Sequence, residues 1–209
     1  IAAARSSYGA DSAYHALELG LAFSNLHFTR MTGIDGFGYT EDFTLGQGVA
    51  VSFGRAFRPG LRDYVYDRVS VQLAQGYRIG ANLLFASYER VFWFHGRDRL
   101  RGTALFSGRL YSRPTKYLTL VWRGAYISDW RADGSEGLVL GGESGLRGYD
   151  RYFRTGDRMA LMNLEARFFP SLRLHSVVFS PVAFADFGQT WKHGEEVNFD
   201  AEIGRASCR

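Results

Sequence analysis

The 209 residues suit a single domain, and their 46% hydrophobic content includes no apolar run near the ~18 residues of a membrane-spanning helix. The net charge of +4 would suit nucleic acid, yet the basic residues are nearly all arginines scattered along alternating segments, with lysine only at 116 and 192. No basic run interleaved with aromatics is present, which excludes a single-strand nucleic-acid groove. Seventeen Phe, twelve Tyr and 25 Gly against four Pro favour many strands joined by glycine turns.

The chain starts at Ile1 without an initiating Met or a signal peptide, so it is expected to be a fragment. From there the dominant period is two. Leu17, Leu19, Leu21 and Phe23 alternate with small or polar residues, as do Phe43, Leu45, Val49, Val51 and Phe53, and then Val69, Val71 and Leu73. Further strands are predicted near 80–94, 100–112, 116–130, 157–169 and 176–187. That makes about eight, most of them as long as the ~9–11 residues that cross a bilayer when tilted.

Long strands with one large-apolar face and one small or polar face predict an all-β transmembrane antiparallel barrel. Tyr64, Tyr66, Tyr77, Trp93, Tyr111, Tyr117, Trp130 and Trp191 fall near strand ends and predict aromatic girdles. Residues 113–116 and 170–173 read as short turns, and 131–156 as the longest loop, on the opposite side. This count places the glycine-rich stretch 31–42 on the short-turn side, an awkward position unless a strand between 56 and 95 is miscounted. Eight strands from the middle of a larger barrel predict an open, curved sheet with two unpaired edges. Residues 1–201 are assigned to this partial barrel. Residues 202–209 (Glu-Ile-Gly-Arg-Ala-Ser-Cys-Arg) resemble the translation of a common sequencing adapter. The only cysteine, Cys208, would then not be native, and no disulfide framework is expected.

Three segments carry the functional argument. The loop Gly141-Gly142-Glu143-Ser144-Gly145-Leu146-Arg147-Gly148-Tyr149-Asp150 holds one arginine among four glycines. In the following strand Asn163, Glu165 and Arg167 share a face opposite Leu164, Ala166 and Phe168. In the next, Phe184, Asp186 and Gly188 share a face. A charge on a lipid face is costly, so Glu165, Arg167 and Asp186 are expected to point inward. A loop folded inward could then set the Arg147 fork against Glu165 and Asp186.

These three segments, over about residues 116–191, resemble the C-terminal half of the BamA–TamA superfamily of outer-membrane barrels, which includes the two-partner secretion transporters. The family signature reads here Leu146-Arg147-Gly148-Tyr149, following Gly145. Its strand motifs read Glu165 with Arg167, and Phe184-x-Asp186-x-Gly188. The resemblance implies a bacterial outer-membrane location and a loop anchored in the lumen by Arg147. It implies protein assembly or protein translocation, with no bond chemistry and no cofactor. The partners it implies are the lipid bilayer, an unfolded client or secreted protein, and periplasmic accessory proteins.

Two other readings stand beside it. A passive porin-like channel needs only a lumen dotted with charges. An outer-membrane hydrolase needs a catalytic cluster, for which the sequence offers little. Ser144 lies in Gly-Glu-Ser-Gly, but a nucleophile elbow requires glycine where Leu146 stands, and a following helix. His15, His27, His95, His175 and His193 lack metal-ligand spacing. Glu195, Glu196 and Asp200 read as a solvated acidic loop.

Overall fold

The computed structural model describes residues 14–36, 38–58, 63–135, 137–170, 173–174, 177–195 and 206–208. Six strands follow one another as β1 (His15–Thr32), β2 (Thr40–Phe57), β3 (Tyr64–Ile79), β4 (Asn82–His95), β5 (Asp98–Thr115) and β6 (Leu118–Arg131). A long loop then carries the three-residue strands β7 (Leu138–Leu140) and β8 (Arg154–Gly156) before β9 (Arg158–Phe168). The two-residue strands β10 (Arg173–Leu174) and β11 (Val177–Val178) lead to β12 (Val182–Trp191), and β13 (Ala206–Cys208) lies along β12. The fold is all-β: its only helical turn among the described residues is Gly142–Ser144, and no helix there is long and apolar enough to cross a membrane.

The sheet runs in the order β1-β2-β3-β4-β5-β6-β9-β12-β13, antiparallel throughout. Eight long strands are present, as expected, although the last runs Val182–Trp191 rather than 176–187, and the sheet is open: among the described residues β1 pairs only with β2. The adapter-like segment lies outside the described residues except for Ala206–Cys208, whose backbone pairs with Ala183–Ala185. Residues 64–79 and 82–95 form two strands joined by a tight turn, so no strand was miscounted. The turn after β1 does lie at the same end as the turns after β3 and β5. It is no solvated connector, because it leans inward over the sheet (below).

Register divides the sheet into two faces. One inner row runs Gly76, Phe85, Arg109, Arg123, Asn163, Asp186 across consecutive strands. An outer row runs Leu73, Tyr88, Phe106, Tyr126, Ala160. Apolar side chains of the outer face are open: Leu19, Leu21, Phe23, Val51, Phe53, Leu73, Phe106, Leu120, Leu164 and Phe168 are all exposed. Strand alternation creates two faces, and none of the described residues covers this one.

The inner face holds two small cores. Met31, Ile34, Leu45, Leu83, Tyr111 and Val121 form one near the β1–β2 turn; Leu140, Leu146 and Met159 form the other beneath the long loop. The first corrects the reading of β2. Leu45 is 3% exposed in the inner core, whereas Val49, Val51 and Phe53 point outward although the sequence spacing puts all on one face. The switch occurs at Gly46, whose φ of +109° turns the strand and brings it so close to β1 that a Cβ would lie 2.0 Å from the Asn25 carbonyl oxygen. The aromatic reading is corrected as well. Tyr77, Trp130 and Trp191 lie on the outer face, but Tyr66, Trp93 and Tyr111 lie on the inner one. Trp93 stands in register between Arg68 and Arg101, and Tyr111 is 1% exposed in the core.

Candidate functional site

The loop between β6 and β9 folds onto the inner face. Its β7–β8 hairpin carries Leu140 into contact with Leu146 and Met159, and Ile127, Leu161 and Tyr149 pack around them. Gly188 of β12 makes this approach feasible: a Cβ there would stand 3.2 Å from Leu140 Cδ1 and from Leu161 Cδ1. Gly145 turns the loop with φ +110°, and a Cβ would meet Leu161 Cδ2 at 2.8 Å. The next residue, Leu146, is buried, and Gly148 follows Arg147 into the bend that sets the Tyr149 ring 4.8 Å from Phe153. The signature's apolar residue therefore anchors the loop while Arg147 faces the strands.

The Arg147 fork closes on both carboxylates. Nε donates to Asp186 Oδ2 at 2.7 Å, Nη2 to Asp186 Oδ1 at 2.7 Å, and Nη1 to Glu165 Oε1 at 2.8 Å. The Arg147 backbone N–H adds a bond to Asp186 Oδ2 at 3.1 Å. The guanidinium also lies 3.9 Å from the Phe184 ring centroid, stacking on an aromatic face. Asp186 is fully buried, and the Glu165 side chain is 8% exposed. Two ions can share so dry a place only because each oxygen has a donor. The hydrogen bond to Asp186 pushes the Arg147 guanidinium further above its ordinary pKa, so it stays charged.

Asn163 completes the site. Its Nδ2 donates to Asp186 Oδ1 at 2.7 Å and to the Gly145 carbonyl at 2.9 Å, tying the strand to the loop. The sequence places Asn163 on the inner face but does not disclose this bridge. Arg167, one row along, donates to Glu165 Oε2 from Nε (2.9 Å) and Nη2 (2.6 Å).

Arg167 also reaches the opposite end of the sheet. Its Nη1 donates to the Ile34 carbonyl at 2.9 Å and pairs with Asp35, both in the β1–β2 turn. Thr119 Oγ1 donates to the Gly33 carbonyl at 2.7 Å, and the Tyr111 hydroxyl bonds Asp35 at 3.4 Å. Glu41 holds the turn by accepting the backbone N–H groups of Asp35 and Gly36. In a flat sheet β6 would lie about 19 Å from β2, so only a curled sheet with an inward-leaning turn allows these bonds. The result is one chain of charges, Asp186–Arg147–Glu165–Arg167–Asp35, that joins a loop from one rim to a turn from the other.

A second inner cluster sits near the rim of the long loop. Asp129, 2% exposed at its side chain, receives Arg101 Nε and Nη2 at 2.7 and 2.8 Å, and Arg131 Nη2 at 2.9 Å. It fixes the base from which the loop departs.

The remaining candidates are dispersed. Ser144 Oγ donates to the Gly141 carbonyl at 3.0 Å and accepts the Gly141 N–H at 2.7 Å, closing its own turn. His95 stacks on Tyr64 and bonds the Val65 carbonyl, while His193 contacts Arg158. His175, Glu196 and Asp200 lie outside the described residues. Among the described residues no three His, Cys, Asp or Glu side chains are grouped to hold a metal ion.

Comparison with protein-family models, with curated proteins and with solved structures finds no match to this chain.

Proposed function

We propose that this chain belongs to a transmembrane β-barrel of the BamA–TamA superfamily, in a bacterial outer membrane, and serves protein assembly or translocation there. The outer face would meet lipid, and the inner face, with its charges and inward loop, would line the lumen. The observation that supports this most is the Arg147 fork seated on Asp186 and Glu165. A passive channel requires no such anchor, whereas a transporter that holds a loop inside its lumen does. Client polypeptide, bilayer lipid and periplasmic accessory proteins are the partners of this reading, and it includes no bond-breaking step.

The test is Arg147→Ala in the intact protein. The barrel should still insert, the loop should become protease-sensitive, and client export or assembly should fall. Full activity with an unchanged loop digest would refute the proposal. In planar bilayers the wild type should be nearly closed, and deleting 141–150 should open it. A wild type that already conducts freely would identify the passive channel instead.

A further inference from the structure

Arg109 of β5 and Arg123 of β6 are register partners on the inner face. Like charges directly opposite one another destabilise a strand pair unless something neutralises them. Five other inward arginines have carboxylate partners. Arg68 pairs with Glu18, Arg101 and Arg131 with Asp129, Arg147 with Asp186 and Glu165, and Arg167 with Glu165 and Asp35. Arg78 is held by Thr29 and the Gly80 carbonyl, and Arg113, at the end of β5, by the Lys116 carbonyl, with its Nε buried and unpartnered. Arg109 and Arg123 have no carboxylate among the described residues. Among the described residues Arg109 bonds the Tyr111 hydroxyl at 3.3 Å and lies over its ring, reaching Asp35 only through that hydroxyl, and Arg123 Nε is buried with no hydrogen-bond partner.

The space in front of the pair is open. Both arginines line a trough of about 600 Å³ whose walls are largely small residues, among them Gly76, Ser87, Ser107 and Ala125. The nearest carboxylate in their own row, Asp186, is saturated by Arg147 and Asn163. Two adjacent forks at a roomy trough whose other walls are mostly small and apolar are suited to a planar or tetrahedral oxyanion, which each guanidinium can bind through paired N–H donors.

We propose that Arg109 and Arg123 form an anion-binding site in this trough, for a carboxylate or phosphate group. The site stands on the register and the missing counter-charge, so it does not depend on the transport reading. The oxyanion could be free, or it could be carried by acidic side chains of an extended polypeptide.

The experiment follows the Nε–H signals of ¹⁵N-arginine in the 209-residue chain in detergent micelles at low salt. Inorganic phosphate and a tetraglutamate peptide are titrated separately. The Arg109 and Arg123 signals should shift saturably with at least one ligand. Arg109→Gln or Arg123→Gln should weaken binding by about tenfold, the loss expected for one charge-assisted bond. Arg78→Gln should leave binding unchanged. Tighter binding of the peptide would assign the site to polypeptide carboxylates, and of phosphate to a free oxyanion. Absence of a saturable shift with either ligand, or binding that survives the double Gln variant, overturns the proposal. The wild-type titration decides even if a variant fails to fold.

Discussion

At the scale of single residues, Asp186 is the most constrained side chain of the site. It is fully buried and accepts four bonds, three from Arg147 and one from Asn163. Asp186→Ala would leave the Arg147 fork half-unpaired; with the Arg147 side chain 38% exposed, the expected cost is about 1–3 kcal/mol. Thermal unfolding in detergent, with proteolysis of 141–150 as the local readout, measures it. Gly188→Val tests packing without touching a charge. Its side chain would press on Leu140 and Leu161 and should cost about 1–3 kcal/mol, with the loop again the part that loosens. If Gly188→Val left both stability and loop proteolysis unchanged, the notch reading would be wrong. Glu165 and Asp186 were legible as candidate partners of Arg147 because strand parity decides which residues of β9 and β12 face inward. The fitting of Leu140 against Gly188 was not, since no spacing rule tells which loop residue lands on which strand.

At the scale of elements, the β1–β2 turn and the 141–150 loop are coupled through Glu165 and Arg167. Removing Asp35 frees one side of Arg167, which can then bind Glu165 more fully and weaken its hold on Arg147. A double-mutant cycle of Asp35→Ala with Arg147→Ala, read by unfolding free energy, should therefore give a coupling of about 0.5–3 kcal/mol. Strict additivity would mean that the two ends are independent. Gly46→Ala belongs to the same scale. A Cβ 2.0 Å from the Asn25 carbonyl, at φ +109°, cannot be relieved by a side-chain rotation, so β1 and β2 must part locally. Hydrogen exchange should accelerate around Asn25–Leu26 more than in β5 or β6. The two segments that contain the inward-folding parts, 31–42 and 141–150, share one sequence character: several glycines in a short stretch. That likeness was visible, yet a turn on the short-turn side gave no local reason to expect it inside.

At the scale of the whole molecule, the open sheet has one charged, loop-filled face and one mainly apolar face, on which the Arg55–Asp67 pair and Arg90 are the charged exceptions in β2–β4. If the outer face meets lipid, single-tryptophan variants in vesicles with brominated acyl chains should differ. Trp122, whose ring lies over Gly108 and Gly124 on the outer face, should be quenched; Trp93, beside Arg101 on the inner face, should not. Equal quenching of both would refute the assignment of the faces to lipid and lumen.

The sequence by itself determined the number of strands, eight, their directions, the mainly apolar outer face and the inward placing of Glu165 and Asp186. Those features follow from period-two alternation, and alternation is a local property of the chain. Tertiary structure alone decided that β2 turns its apolar row inward at Gly46, that Trp93 and Tyr111 are interior, and that the β1–β2 turn meets β6 and β9. Each of these depends on how the sheet bends and what that brings together. Contacts across five strands are set by curvature summed along the sheet, which no single segment encodes.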